Sequence, residues 1–325
     1  MNAFRALVAR AADAVGFEQL HESDLPQREV LVDVSYSSLN YKDALAITGR
    51  GKIVRKFPTV LGIDLAGTVV ESSSADFKPG DRVVATGQGL GELDWGGYTT
   101  RERTTADALV PLPDGLTFEQ AMQIGTAGFT AMLCVMELEH HGIDKSREVI
   151  VTGAAGGVGS LAVMLLAARG YTVVASTGRP EQEPYLRSLG ASSIIAREEL
   201  TKPGAPMQSE RWAGGVDTVG GQTLATLYAQ TAYEGAIAAC GMAGGHELNV
   251  TVWPMILRNV ALLGVSSIRT SKAKRIAGWT ELARTLDPTK LAALSRTEPL
   301  TNIRALSEEI LDNKVRGRIV IDTTR

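Results

Sequence analysis

The sequence predicts an α/β fold: a doubly wound parallel sheet joined to a second, β-rich domain. Three observations carry this. A strand–turn–helix–strand unit with a small-residue turn occupies residues 148–179. Strand and helix candidates alternate from there to about residue 265. The first 120 residues are instead short β-prone runs separated by turn residues. Alternating strands and helices are the pattern of a parallel sheet covered on both faces.

The central unit opens with Val149-Ile150-Val151-Thr152, a β-prone run. A turn follows at 153–159, then a helical stretch at 160–168 ended by Gly170, then a second β-prone run at 171–175. The turn reads Ala154-x-Gly156-x-x-Gly159, the phosphate-binding fingerprint with Ala in its first position. Gly156 allows the backbone of Ala154, Ala155, Gly156, Gly157 and Val158 to approach a pyrophosphate. Gly159 allows the helix to lie against its strand, and the helix N-terminus then meets the phosphate charge. A glycine pattern alone is weak evidence, but this one has the strand before it and the helix after it that the motif requires.

The choice of cofactor follows from what comes next. NAD-binding units place an acidic residue about twenty positions after the glycines, on the ribose 2′-hydroxyl. Here that place holds Ser176-Thr177-Gly178-Arg179, with no carboxylate before Glu181. A hydroxyl and a guanidinium suit a 2′-phosphate, which a carboxylate would repel. NADPH is therefore the expected cofactor, with Ser176 and Arg179 as its selectors.

The rest of the chain falls into order around this unit. Strands are expected at 4–8, 29–36, 68–71, 82–85 and 108–111, with a turn at Pro79-Gly80-Asp81. Thr117-x-x-Gln120 is a capping box for a helix over 118–124; Gly125 interrupts it, and a second helix is expected over 128–141. Further strands are expected at 193–196, 216–219, 236–240 and 261–265, then helices over 273–286 and 303–311. The final β run, 318–322, has no helix after it and is expected to return to the N-terminal domain. The dinucleotide domain, 123–266, is then inserted between 1–122 and 267–325, which form a discontinuous catalytic domain.

Composition narrows the function classes. At 325 residues the chain can hold two full cores. A net charge of -3 gives no electrostatic case for nucleic acid or an anionic membrane. The N-terminus has no continuous apolar segment of the signal-peptide kind, and the longest apolar run, after Gly159, is too short to span a bilayer. The two cysteines, Cys134 and Cys240, sit in apolar runs, so buried, reduced thiols and a cytoplasmic location are expected.

The segments SSLNYKDALAITGRGKIVRKFPTVLGIDLAGTV, WGGYTT, IGTAGFTAM, VTGAAGGVGSLAV, LGAS, GVDTVGG, AACGMAGG, ILRNVALLGVSSI and NKVRGRIVID carry a resemblance that runs almost from end to end. The chain resembles a medium-chain dehydrogenase/reductase, a chaperonin-10-like (GroES-like) β domain wrapped around a Rossmann domain. Within that superfamily it resembles the zinc-free quinone oxidoreductase branch, and more narrowly the NADPH-dependent acrylyl-CoA reductase family. The glycine turn is shared by the whole superfamily; NYKDALAITGRGKIVRKFP is the more specific signal. The resemblance implies reduction of a short 2-enoyl-CoA, with hydride to the β-carbon and a proton to the α-carbon, and a homodimer. Quinone or enone reduction is the alternative, and a non-catalytic NADPH-binding protein a further one.

One departure bears on the chemistry. Where zinc alcohol dehydrogenases carry Gly-His-Glu, this chain has Gly62-Ile63-Asp64, and two distant cysteines build neither a catalytic nor a four-Cys structural zinc site. No metal is expected. Reduction of an alkene conjugated with a carbonyl is compatible with that, since the carbonyl already withdraws charge from the double bond. The protein need supply only hydrogen bonds and a proton.

Candidate residues follow. Asn40-Tyr41-Lys42-Asp43 is expected on the loop that faces the nicotinamide in relatives. A phenol with a pKa of about 10 is protonated at neutral pH, so Tyr41 is the candidate acid or carbonyl orienter. The alternative is a packing role, with the proton from solvent. Asn40 is the expected amide contact to the cofactor; Lys42 and Asp43 are read as a local ion pair, and Asp64 as a structural hydrogen bonder. Arg50, Lys52, Arg55 and Lys56, together with Lys42, are the cations offered to the phosphates of CoA, against the plainer reading of a solvated charge run. By resemblance, Thr126 and Thr130 lie near the nicotinamide, Arg197 near adenine or the 2′-phosphate, Gly241 at the ligand crevice and Arg318 near the cofactor phosphates.

Overall fold

The computed structural model describes residues 3–325. The chain divides into two compact units. The first holds the residues up to Phe129, Ser267–Ala283 and Leu291–Arg325. The second holds Thr130–Ser266 and Arg284–Lys290. Residues 123–129 thus group with the first unit and 284–290 with the second.

The second unit is a six-stranded parallel sheet. Across it run Ser193–Ala196, Val173–Thr177, Val149–Val151, Trp212–Asp217, Thr231–Ala239 and Ala261–Gly264. In chain order these are the third, second, first, fourth, fifth and sixth strands, all paired in parallel. The order reverses between Val149–Val151 and Trp212–Asp217, and in such sheets ligands bind at the carboxyl ends of the strands there. Ile150, Val174, Trp212, Leu227 and Ile237 form a buried core on this sheet.

The first unit is β-rich. Its seven-stranded sheet runs Ser295–Pro299, Arg318–Asp322, Val30–Leu39, Asp64–Ser72, Arg82–Thr86 and Val110–Pro111, with Arg101–Thr104 paired to Val30–Leu39. A smaller sheet holds Ala14–His21, Ala3–Ala11 and Thr59–Val60. The final strand does return to this unit, antiparallel to Val30–Leu39. Helices Tyr41–Thr48 and Ile303–Leu311 cover the sheet through Ala46, Ile47, Ile303 and Leu306, packed with Leu39, Leu61, Ile319 and Ile321.

Several local expectations are seen directly. The Thr117 box is closed by Gln120 N–H to Thr117 Oγ1 at 3.1 Å and Thr117 N–H to Gln120 Oε1 at 2.9 Å. The helical run Phe118–His141 is broken at Gly125, with φ 51° and ψ -160°. Other expectations need correction. Asn40-Tyr41-Lys42-Asp43 is no loop: Asn40 caps the helix Tyr41–Thr48, whose first turn holds the other three. The long apolar helix is Phe118–His141; at 24 residues it matches a membrane span in length and composition, and 83% of its most apolar window is buried inside the protein. Cys134 is buried, but Cys240 is only partly so, at the end of the fifth strand of the parallel sheet.

Candidate active site

In the first unit, strand register gathers a buried polar cluster. Leu39 lies opposite Ile319 and Ser38 opposite Val320, while Asp64 opens the strand on the other side of Val30–Leu39. Ser38, Asn40, Asp64 and Arg318 thereby meet, none more than 8% exposed. Asp64 Oδ2 accepts the Ser38 hydroxyl at 2.5 Å, the Asn40 amide at 2.9 Å and the Thr126 backbone N–H at 2.9 Å. Its Oδ1 accepts the Thr126 hydroxyl at 2.5 Å. Arg318 donates to Ser38 Oγ at 2.8 Å, Asn40 Oδ1 at 3.1 Å and the Gln123 carbonyl at 3.3 Å. Burial pulls the pKa of this guanidinium down, and Asp64, then Asp43, push it back up. A charged group out of water needs such partners.

Asp43 belongs to the same cluster. It accepts the Asn40 N–H at 3.0 Å, the Asn40 amide at 3.1 Å and the Ile63 N–H at 3.0 Å. Burial and the nearby Asp64 charge raise its pKa to about 7, against the opposing pull of those hydrogen bonds. It makes no pair with Lys42, which reaches Glu92 at 2.7 Å instead. Tyr98 completes the cluster, its buried hydroxyl donating to the Ser38 carbonyl at 3.1 Å. Burial holds that phenol well above its usual pKa, so it stays a neutral donor. The break at Gly125 is what lets the cluster form: a Cβ there would stand 2.6 Å from Arg318 Nη2, 2.7 Å from Ser38 Oγ and 2.8 Å from Asp64 Oδ2.

Beside this buried cluster, Tyr41 is 52% exposed at the first helical position, free to meet a ligand. The predicted cations separate into two groups. Lys42 and Arg50 are paired, Arg50 with Glu308 at 2.6 Å. Lys52, Arg55 and Lys56 are exposed and make no ion pair among the described residues.

In the second unit, the helix begins at Gly157, with Gly156 as its N-cap. Gly157 and Val158 are therefore its first residues, where backbone N–H groups lack intrahelical partners, and Ala154 and Ala155 form the turn before it. A Cβ on Gly159 would lie 2.3 Å from the Gly153 carbonyl, which is why this helix can pack so tightly on the turn. Ser176 and Thr177 end the second strand, both buried. The Thr177 hydroxyl accepts the Arg179 N–H at 3.1 Å, and its carbonyl accepts the Arg197 N–H at 2.9 Å. Arg179 also reaches the Ala155 carbonyl at 3.3 Å. The fold thus brings Ser176, Arg179 and Arg197 to one end of one strand, beside the fingerprint turn. Thr130 is buried in this unit, and Gly241 packs on the Thr218 backbone.

Sequence reasoning passed over Asp217. This wholly buried carboxylate accepts the Thr152 hydroxyl at 2.6 Å and the Gly220 N–H at 2.7 Å. Its carbonyl accepts the Cys240 N–H at 2.9 Å. It therefore ties together the ends of the first, fourth and fifth strands, from which the crevice loops depart. Burial raises its pKa, and the Thr152 and Gly220 hydrogen bonds oppose that.

Comparison with known proteins agrees with this geometry. The family model described as the alcohol dehydrogenase GroES-like domain matches residues 26–114, and that described as zinc-binding dehydrogenase matches 157–283. The acrylyl-CoA reductase AcuI of Ruegeria pomeroyi is 50% identical, over 98% of this chain and 99% of its own. The chain belongs to the medium-chain dehydrogenase/reductase superfamily. YhfP of Bacillus subtilis, named among the quinone oxidoreductases, is 43% identical over 98% of each chain. Its solved structure, with NAD bound, matches with a TM-score of 0.96 over 99% of this chain and 100% of its own, at 42% identity. The yhdH oxidoreductase of Salmonella enterica, solved with NADP, matches with a TM-score of 0.95 at 47% identity, over 98% of this chain and 99% of that one. Although one matching model is described as zinc-binding, no three His, Cys, Asp or Glu side chains come together as a metal site among the described residues.

Proposed function

We propose that this protein is an NADPH-dependent reductase of a short 2-enoyl-CoA, converting acrylyl-CoA to propionyl-CoA. The end-to-end likeness to a protein named acrylyl-CoA reductase carries this reading. Bound NADPH would supply the hydride to the β-carbon. The chain's own residues bind, orient and protonate. The backbone at Gly156, Gly157 and Val158 would take the pyrophosphate at the helix start. Ser176, Arg179 and Arg197 would take the 2′-phosphate through charge-assisted hydrogen bonds. The residues present fit such a cofactor: the turn is closed by a glycine that admits no side chain, and the run Ser176-Thr177-Gly178-Arg179 carries no carboxylate.

The accessible Tyr41 hydroxyl would donate the α-proton or hold the thioester oxygen. The exposed Lys52, Arg55 and Lys56 would meet the phosphates of CoA; Lys42 and Arg50, already paired, would contribute less. In the cluster around Asp64, Thr126 is partly exposed and would lie near the nicotinamide. Asn40 and Arg318, at most 8% exposed, would act mainly by fixing the backbone around it, since a precise constellation needs support behind it. The test is an assay of acrylyl-CoA-dependent NADPH oxidation with propionyl-CoA identified as product. NADPH binding without turnover of any activated alkene would instead indicate a non-catalytic protein.

The likeness to YhfP favours a second reading, quinone or enone reduction with the same cofactor residues. A homodimer accompanies either. Trp253, Met255, Ile256 and Leu257 are each about half exposed or more, next to the edge strand Ala261–Gly264. An apolar surface beside an open strand edge suits a second copy, the edge strands pairing about a two-fold axis. Sedimentation of the protein tests this, and a monomer at micromolar concentration contradicts it. A cytoplasmic location fits two reduced thiols.

A further inference from the structure

Gly178 lies between Thr177 and Arg179, where the second strand of the parallel sheet ends. Its φ is not in the left-handed region, so the backbone there does not demand glycine. Space does. A Cβ built on Gly178 would stand 2.6 Å from Arg197 Cζ, 2.8 Å from its Nη2 and 2.9 Å from its Nε. The Arg197 guanidinium thus lies flat against the bare Cα of Gly178. Its own backbone N–H is held by the Thr177 carbonyl at 2.9 Å, which fixes the base of the side chain. The head is otherwise loosely held: its ion pair with Glu198 is 3.9 Å long and both groups are mostly exposed. Arg179 hangs from the same residue, Thr177, through the hydroxyl.

We infer that Gly178 is a specificity-determining position: its missing side chain forms the seat that aims Arg197, alongside Arg179, at the 2′-phosphate that distinguishes NADPH from NADH. This rests on the NADPH reading above and goes beyond it, since it assigns the selection to a residue with no side chain. The displaced group in a Gly178→Ala protein is the end of a flexible, exposed side chain, so the fold survives while the guanidinium moves. A planar guanidinium bonds phosphate with defined geometry, so displacement weakens it as removal does.

The experiment is a double-mutant cycle on the full-length protein, with NADPH and NADH dissociation constants measured by fluorescence titration. Wild type, Gly178→Ala, Arg197→Ala and the double variant are compared, with melting temperature as a control for folding. Gly178→Ala and Arg197→Ala should each lower the preference for NADPH by on the order of tenfold, with NADH binding nearly constant. The double variant should lose no more than either single one. An unchanged preference in either single variant overturns the inference, as do additive losses in the double variant. If wild type itself binds NADH as tightly as NADPH, the cofactor reading fails, which is a separate and recognisable result.

Discussion

Asp64 holds Thr126 with both carboxylate oxygens, Oδ2 on the backbone N–H at 2.9 Å and Oδ1 on the hydroxyl at 2.5 Å. The same carboxylate takes Ser38 and Asn40, the two side chains that also receive Arg318. Asp64→Asn removes the anion that balances a buried guanidinium and puts N–H donors where acceptors are required. Breaking a buried charged network by one partner costs about 3–5 kcal/mol. Thermal unfolding should show a loss of that order; a change within about 0.5 kcal/mol, the range of ordinary surface substitutions, would mean that the network carries little energy.

Glu102 gives a pH-dependent test. It is fully buried, and neither carboxyl oxygen has a hydrogen-bond partner among the described residues. Burial raises its pKa well above the usual value, Asp94 adds to this and Arg28 opposes it. A raised folded pKa means that the folded state binds this proton more tightly. The stabilisation is complete below the ordinary glutamate pKa of about 4.3 and is lost as pH rises toward the folded value. Glu102→Gln, which mimics the protonated form, should raise the melting temperature at pH 8 and change it little at pH 4. Destabilisation at pH 8 would mean that the ionised carboxylate is the form the fold uses.

Much of the second unit was legible in the sequence, and the reasons are local. The fingerprint, the Thr117 box and the break at Gly125 each rest on neighbours within a few positions. The fourth strand was expected to begin at 216, after Gly214-Gly215; it begins at Trp212. Both glycines are in the sheet because a Cβ would stand 2.3 Å from the Ala236 carbonyl and 2.6 Å from that of Ile150, a crowding only the tertiary structure reveals. The helix Tyr41–Thr48 was legible but missed: Asn40-x-x-Asp43 is a start signal of the capping-box kind. The buried clusters were not legible. Ser38 and Arg318 are 280 positions apart and Thr152 and Asp217 are 65 apart, so no spacing connects them. The pairing within the cation run was not legible either, since sequence shows the charges but not the carboxylates of Glu92 and Glu308 that pair with two of them.

Gly125 should tolerate no side chain. Its φ of 51° disfavours other residues, and a Cβ would intrude on Arg318, Ser38 and Asp64 together. A positive φ with so extended a ψ is essentially confined to glycine and costs other residues on the order of 1–3 kcal/mol, before the clash with the cluster is added. Gly125→Ala should therefore lower the melting temperature and turnover together. Wild-type stability would show that the helix break relaxes without disturbing the cluster.

Tyr41→Phe separates chemistry from packing, since it keeps the ring and removes the hydroxyl. If the hydroxyl acts in the transition state, kcat falls while NADPH binding stays nearly constant. General-acid contributions are typically about a hundredfold or more, and a loss of roughly tenfold would fit a carbonyl orienter partly replaced by water. Turnover at the wild-type rate would make Tyr41 a packing residue, with the proton coming from solvent.

The most direct test of the proposed activity is one comparison on the purified protein: kcat/KM for acrylyl-CoA against kcat/KM for a simple 1,4-quinone, both with saturating NADPH. A short enoyl-CoA reductase should strongly prefer acrylyl-CoA and form propionyl-CoA in step with NADPH consumed. Efficient reduction of the quinone with no turnover of acrylyl-CoA would contradict that account and assign the protein to quinone reduction.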